Sequence, residues 1–329
     1  MIVTRTPLRI PLGGGGTDLP SYSSKYGGFL VSAAIDKYTF ITVNRRKLDR
    51  LIRASYSKTE IVDSVDRLQH PLIREALRLT GIDGGVEITS IGDIPGGSGA
   101  GSSASFTVGL LHALHALKRE QVSQWRLAEE ACKIELDVLK EPIGKHDQFI
   151  TAIGGITCLD IDRTNHVSTF PAAISEDVLE ELDQSLLLFY TGVVRKTGEV
   201  LHPQNQAANE SHPQTLASLH RIKEIGWEIK GALEAGQLRR FGELMDEHWD
   251  VKKQLSGQVS GGQFDRWYDL AKTAGAVGGK LMGAGGGGFF VFYSENGKKP
   301  GLREAMAREG LMELRFHFDF EGTKVLVNF

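Results

Sequence analysis

The sequence has 329 residues, 41% of them hydrophobic and 24% charged, with a formal net charge of −3. At ~150 residues per domain this is an ordinary globular chain of about two domains, and its charge gives no electrostatic case for nucleic acid or an anionic membrane as partner. It holds no run of ~18 apolar residues suited to a membrane span, and Met1-Ile2-Val3-Thr4-Arg5 leads into no apolar signal region, so a cytoplasmic protein is expected.

Residues 7–12 read as extended, because Pro7 and Pro11 oppose a helix. They run into Gly13-Gly14-Gly15-Gly16-Thr17-Asp18. Consecutive glycines lose much backbone entropy on ordering, so a chain that keeps them needs bare backbone beside something. Asp18 is a carboxylate on a turn, suited to sugar hydroxyls or to an Asx-turn. Phe29, Val31, Ala33 and Ile35 alternate as a strand, which continues through Val43 to Arg45, Arg46 and Lys47. A helix is predicted over 67–79, stopping near Gly81.

Pro95-Gly96-Gly97-Ser98-Gly99-Ala100-Gly101-Ser102-Ser103 is the stretch richest in chemistry. Apolar alternation at Val86, Ile88 and Ile91 precedes it. Phe106, Leu110, Leu111, Leu114 and Leu117 follow at helical spacing, predicting a helix over 104–118. A glycine loop that opens a helix presents unpartnered N–H groups at the positive end of the dipole, which is a cradle for phosphate. The P-loop lysine is missing, since Ser102 stands in its place. The dinucleotide pattern fits 99–104, but its acidic partner would be Glu120, at a helix end rather than a strand end. A Gly/Ser loop without ligand is the third reading.

Ser123 is a candidate N-cap for a helix carrying Leu127, Ala131, Ile134 and Val138 and ended by Pro142. On it, Glu135 has Ala131, Cys132, Val138 and Leu139 as helical neighbours, and none of them is basic. A carboxylate turned inward needs a counter-charge or a metal. Asp147 follows in a polar turn before an apolar stretch, suited to a base or orienting group or to a helix cap. His146 beside it could be catalytic, although a lone His next to a stronger candidate is more often structural or solvent-facing. Cys132 and Cys158 match no metal or redox spacing and read as reduced packing residues.

A polar stretch over 164–183 marks the domain boundary, giving 1–180 and 181–329. A buried strand is predicted over 185–190, helices over 213–235, 238–255 and 261–276, and a short one over 302–308. Gly283 to Gly288 formally matches the dinucleotide pattern, but the aromatic run Phe289-Phe290-Val291-Phe292-Tyr293 is a strand, so that reading is rejected. The alternating residues over 313–320 and the extended 324–329 predict a terminal hairpin turning at 321–323.

Three glycine motifs in this order resemble those of the GHMP kinases, from Pro7 to Gly288. The form Gly13-Gly14-Gly15-Gly16-Thr17-Asp18, with Gly144-Lys145-His146-Asp147-Gln148, most resembles the D-glycero-D-manno-heptose 7-phosphate kinases. The resemblance implies an α+β fold. The N-terminal domain would be like ribosomal protein S5 domain 2, the C-terminal domain ferredoxin-like, and the active site would lie between them. It also implies transfer of phosphate from ATP, with Mg2+, to the anomeric hydroxyl of a heptose 7-phosphate, for nucleotide-heptose and surface-glycan synthesis. Residues 95–103 would hold the ATP phosphates, with Ser103 and Glu135 on Mg2+. Asp147 and Arg9 would act at the reacting hydroxyl, and Gly14, Gly15, Gly16, Thr17 and Asp18 would hold the sugar. Gly283, Gly285 and Gly286 would support the phosphate loop. Arg195 is the choice for the substrate phosphate, among Lys196, Arg45, Arg46 and Lys145. Galactokinases have Glu and His where Gly15 and Gly16 stand, which leaves room for a larger sugar. The alternatives are another sugar 1-kinase, such as a fucokinase or galactokinase, or a non-catalytic sugar sensor. A homo-oligomer is compatible with either.

Overall fold

The computed structural model describes residues 1–194, 197–255 and 259–329. Two long antiparallel strands organise the first half, β1 (Ile2–Gly13) and β2 (Gly28–Arg45), joined through helix α1 (Pro20–Tyr26). Their register slips between Pro7 and Leu8 and again between Pro11 and Gly13. A proline cannot donate to a ladder, so it is accommodated in a sheet interior at such irregularities. β3 (Ile52–Ser55), β4 (Thr59–Val62) and β5 (Val86–Gly92) extend the sheet on one side of β2. β6 (Ile156–Ile161) pairs with the other end of β2 and with β7 (Val167–Pro171).

One face of this sheet is covered by α2 (Pro71–Thr80), α3 (Ser102–Leu117), α4 (Gln124–Cys132) and α5 (His146–Ile153), through a core that includes Ile41, Leu110, Leu114 and Phe149. The helix predicted over 67–79 is shorter, because Pro71 takes its first position and His70 caps it. Gln69 and His70 donate backbone N–H groups to Glu60 instead. Ser123 caps α4 as expected. That helix does not run regularly to Val138: from Lys133 it widens into a π-helical turn, Lys133–Val138. The wider turn rotates the face, so Val138 is 48% exposed while Glu135 is buried.

In the second half, α6 (Glu176–Ser185) precedes β8 (Leu186–Tyr190), and helices α7 (Thr197–Asn209), α8 (Pro213–Glu234), α9 (Leu238–Lys253) and α10 (Gly262–Thr273) follow. A hairpin, β9 (Gly278–Leu281) and β10 (Phe289–Tyr293), then leads through α11 (Lys299–Arg308) to β11 (Met312–Leu314). The sheet order β11-β8-β10-β9, all antiparallel, is the ferredoxin-like arrangement. Helices α8 and α9 bury Ile225, Ile229, Phe241 and Met245 in a core shared with Leu8, Ile10 and Leu12 of β1, so the two halves join there.

The terminal hairpin is not formed. β11 pairs with β8, and β12 (Lys324–Asn328) crosses to the first sheet and pairs with β1. The first sheet therefore runs β12-β1-β2-β5-β3-β4 and takes in the chain end from beyond residue 181. Alternation marked the segment as extended, but each strand found an open edge on a different sheet. Among the described residues, no helix is long and apolar enough to cross a membrane.

Candidate active site

A cavity of ≈400 Å³ lies between the two halves, and the glycine loop before α3 forms one wall. Gly97, Gly99 and Gly101 each have φ of +78°, a left-handed conformation that glycine adopts without a Cβ clash. The loop curls into the N-terminus of α3, which starts at Ser102. Below, Arg9 of β1 donates its backbone N–H to Ala100 O at 3.1 Å. Above, the loop between β9 and β10 meets it backbone to backbone: a side chain at Gly288 would collide with Ser98 O, and one at Gly283 would crowd Gly99.

Arg9 and Asp147 form the centre of the site. Arg9 Nε and Nη2 each donate to one Asp147 oxygen at 2.7 Å, and Nη1 donates to Gly99 O at 2.6 Å. Asp147 lies on the first turn of α5 rather than in a turn before it, and keeps 24% side-chain exposure toward the cavity. His146 links it to Asp18: its Nδ1 and backbone N–H lie 2.7 and 3.1 Å from Asp18 Oδ2, and its Nε2 is 2.7 Å from Asp147 Oδ1.

Burial would raise the Asp147 carboxyl, but Arg9 and His146 overcome it and hold it well below the usual carboxylate range. Burial would lower His146, but Asp147 and Asp18 push it up to about 9. Its folded value therefore lies above the unfolded one of 6.5. That contribution to stability is complete below pH 6.5 and is lost as pH rises through about 9. The melting temperature should fall across this window, and His146→Gln should flatten the fall. A parallel decline in both proteins would count against the link.

Glu135, brought inward by the π turn, accepts from Ser103 Oγ at 2.7 Å and from Gln148 Nε2 at 3.1 Å. Burial raises its carboxyl to about 7, against the pull of the Ser103 and Gln148 hydrogen bonds. No cationic side chain is among its hydrogen-bond or ion-pair partners in the described residues. Those residues also hold no cluster of three or more His, Cys, Asp or Glu that could bind a metal alone. One carboxylate and one hydroxyl beside a phosphate loop fit Mg2+, which takes most of its oxygens from phosphates and water.

Gly15, Gly16, Asp18, Gly97, Gly99, Gly101, Ser102, Ser103, Glu135, Asp147, Arg9 and Gly283 all line this cavity. The other expected residues that the structure describes do not. Pro95 and Gly96 are exposed on the loop's outer side, and Ser98 and Ala100 point into the fold. Gly14 packs under Phe29, and Thr17 is spent on Gly14 O and Phe29 O. Gly285 and Gly286 lie against Val259. Asp18 is 3% exposed, with one carboxylate oxygen taken by His146.

Arg195 and Lys196 lie outside the described residues. Arg46 pairs with Asp49, Arg45 reaches Leu117 O, and Lys145 donates to Asn165 O, all away from the cavity. His146, for which catalytic, structural and solvent-facing roles stood open, has a side chain 14% exposed and bridges the two aspartates. Gln148, Gln204, His248, Lys252 and Lys280 also line the cavity and were not singled out. One sequence signal was available: His248 and Lys252 lie four apart on a helix face with Phe241, Leu244 and Met245.

Comparison with known proteins places these features. Residues 66–155 match the model of the GHMP kinases N terminal domain and 229–310 that of the GHMP kinases C terminal, together just over half the chain. The chain is 29% identical over 335 residues to D-glycero-alpha-D-manno-heptose 7-phosphate kinase of Campylobacter jejuni, covering 98% of each. It is 27% identical over 350 residues to a galactokinase of Pyrococcus furiosus, covering 94% of each. Its fold matches a crystal structure described as a D-glycero-D-manno-heptose 1-phosphate kinase from Bacteroides thetaiotaomicron, with TM-score 0.81, 24% identity and all of both chains covered.

Proposed function

Starting from a chain that belongs to the GHMP kinase family and is a sugar kinase, we propose that it phosphorylates the anomeric hydroxyl of D-glycero-D-manno-heptose 7-phosphate, giving the 1,7-bisphosphate for nucleotide-heptose and surface-glycan synthesis. The observation that carries the reading is the Arg9–Asp147 fork, set over the phosphate loop and beside the Gly15–Gly16 turn. The relative that shares 98% of its length with this chain is named for that acceptor.

ATP is the phosphoryl donor, and a bound Mg2+ would supply neutralisation of the phosphate charge. The loop N–H groups and the start of α3 receive the phosphates, and Pro71, Leu72, Leu139 and Ile143 give the cavity an apolar end for the base. Ser103 and Glu135, hydrogen-bonded to each other beside the loop, would hold the cation. Asp147 faces the sugar hydroxyl. A carboxylate kept so acidic is a weak base, so it orients the hydroxyl and takes its proton late, once the forming P–O bond has acidified it. Arg9 lies between Asp147 and the loop, where charge develops. His146, protonated, fixes both aspartates. Gly15 has open space where a side chain would stand, which suits a sugar larger than galactose. A cytoplasmic location belongs to the same proposal, since ATP is its donor.

If Ser103 and Glu135 hold the cation, Glu135→Gln should raise the Mg2+ concentration for half-maximal rate by at least ~10-fold, since even outer-shell losses cost that much. An unchanged Mg2+ titration would remove Glu135 from the cation site. The reading as a whole is tested by ADP release with Mg-ATP across heptose 7-phosphate, mannose 6-phosphate, galactose, fucose, homoserine and mevalonate. Turnover on the heptose phosphate is the expected result. Turnover confined to galactose or fucose would move the chain to the neutral-sugar kinases.

A further inference from the structure

The second half contributes a wall to the cavity on which Gln204 of α7, His248 and Lys252 of α9, and Lys280 of β9 converge. Gln204, His248 and Lys280 are 1–3% exposed and Lys252 8%. Among the described residues, Lys252 Nζ donates to Leu281 O and Gly283 O, at 3.1 and 2.6 Å, and Lys280 Nζ to Leu12 O, at 2.7 Å. A charged ammonium has three donors, so toward the described residues Lys252 keeps one and Lys280 two. Neither His248 ring nitrogen has a partner among the described residues, and neither has Gln204 Nε2. Among the described residues, every carboxylate lining the cavity (Asp18, Glu135, Glu141, Asp147) comes from the first half. Burial lowers Lys252 to about 7 and Lys280 well below its ordinary range, with no described carboxylate beside either, so an anion entering between them would restore their charge.

The wall's position shows which anion. Gln204 Nε2 stands 3.1 Å from where a Gly16 side chain would begin, and Lys280 is tied to the end of β1 that delivers the first glycine turn. Gln204 and Lys280 therefore stand on the Gly15–Gly16 side of the cavity, and Lys252, bonded to Gly283 O, stands between that side and the glycine loop at Gly99. The phosphates of the donor already have the loop, the start of α3, Arg9 and the Ser103–Glu135 pair. We propose that Lys252 and Lys280, with His248 and Gln204, bind an anionic group carried by the acceptor itself, so that the chain selects a sugar already bearing a phosphate. This rests on the sugar-phosphate reading above and assigns its specificity to named residues.

The test compares wild type with Lys252→Met, Lys280→Met and Lys252→Arg on heptose 7-phosphate and on the same heptose without phosphate. Each methionine variant should raise KM for the phosphorylated sugar by about 10–100-fold, the effect of one charge-assisted hydrogen bond. The preference over the unphosphorylated sugar should collapse with it, KM for ATP should stay within about twofold, and Lys252→Arg should recover part of the preference. Loss on both sugars with the preference intact, or a matching rise in KM for ATP, would overturn the assignment. His248→Ala, whose ring holds no hydrogen bond to lose, should reduce the preference without lowering the melting temperature of the fold by more than a packing loss. If wild type turns over no sugar phosphate, the functional reading fails separately. Calorimetry with inorganic phosphate, in the presence of a non-hydrolysable ATP analogue, then decides the site. Binding by wild type and not by Lys252→Met supports it, and equal or absent binding in both overturns it.

Discussion

Asp147→Asn should lower kcat by about 10²–10⁴-fold, the range set by losing a positioned proton acceptor, while nucleotide binding persists. The substitution is nearly isosteric, but it removes the negative charge between Arg9 and His146. An amide cannot accept from both Arg9 nitrogens and also take the hydroxyl proton. The proposed nucleotide contacts lie in the loop backbone and at the start of α3, which begins at Ser102, away from the substituted group. Kinetics of ADP release and a nucleotide titration on the same sample check both halves. Full turnover would take Asp147 out of the mechanism. Lost nucleotide binding would mean that the residue holds the loop instead.

Arg9→Lys should cost about 10²–10³-fold in kcat, as loss of a positioned charge-stabilising donor does, although the charge is kept. Arg9 makes a two-pronged contact with Asp147 and a third bond to Gly99 O. A lysine is a point charge without the planar fork and cannot satisfy both partners from that strand position. The same loss should loosen the loop, because the Arg9 side chain packs against Gly101 and its Nη1 donates to Gly99 O. A lysine variant with the parental kcat would show that charge alone is required there.

Much of this site is legible in the chain because its chemistry is local. The glycine loop, its helix and the Glu135 neighbourhood each lie within a few residues, and hydrophobic spacing places them. The third glycine motif was separated from a dinucleotide loop by the aromatic strand behind it, and β10 begins there at Phe289. Three features were not legible, each for a tertiary reason. The π turn at Lys133–Val138 changes the helical period only where Glu135 turns inward. β12 joins β1 across the whole sequence, a pairing that alternation cannot specify. His146 acquires its role by standing between Asp18 and Asp147, and the first of these is 128 positions away. Lys252 and Lys280 belong with them, since a buried lysine and a solvated one are the same letter in a sequence.

The central claim is the position of the new phosphate. Phosphorus NMR of the product formed from D-glycero-D-manno-heptose 7-phosphate and Mg-ATP tests it most directly. A second phosphorus signal coupled to the anomeric proton, formed by wild type and not by Asp147→Asn, is the predicted result. A new phosphate on any other carbon, or an acceptor consumed only when C1 already carries a phosphate, would contradict it.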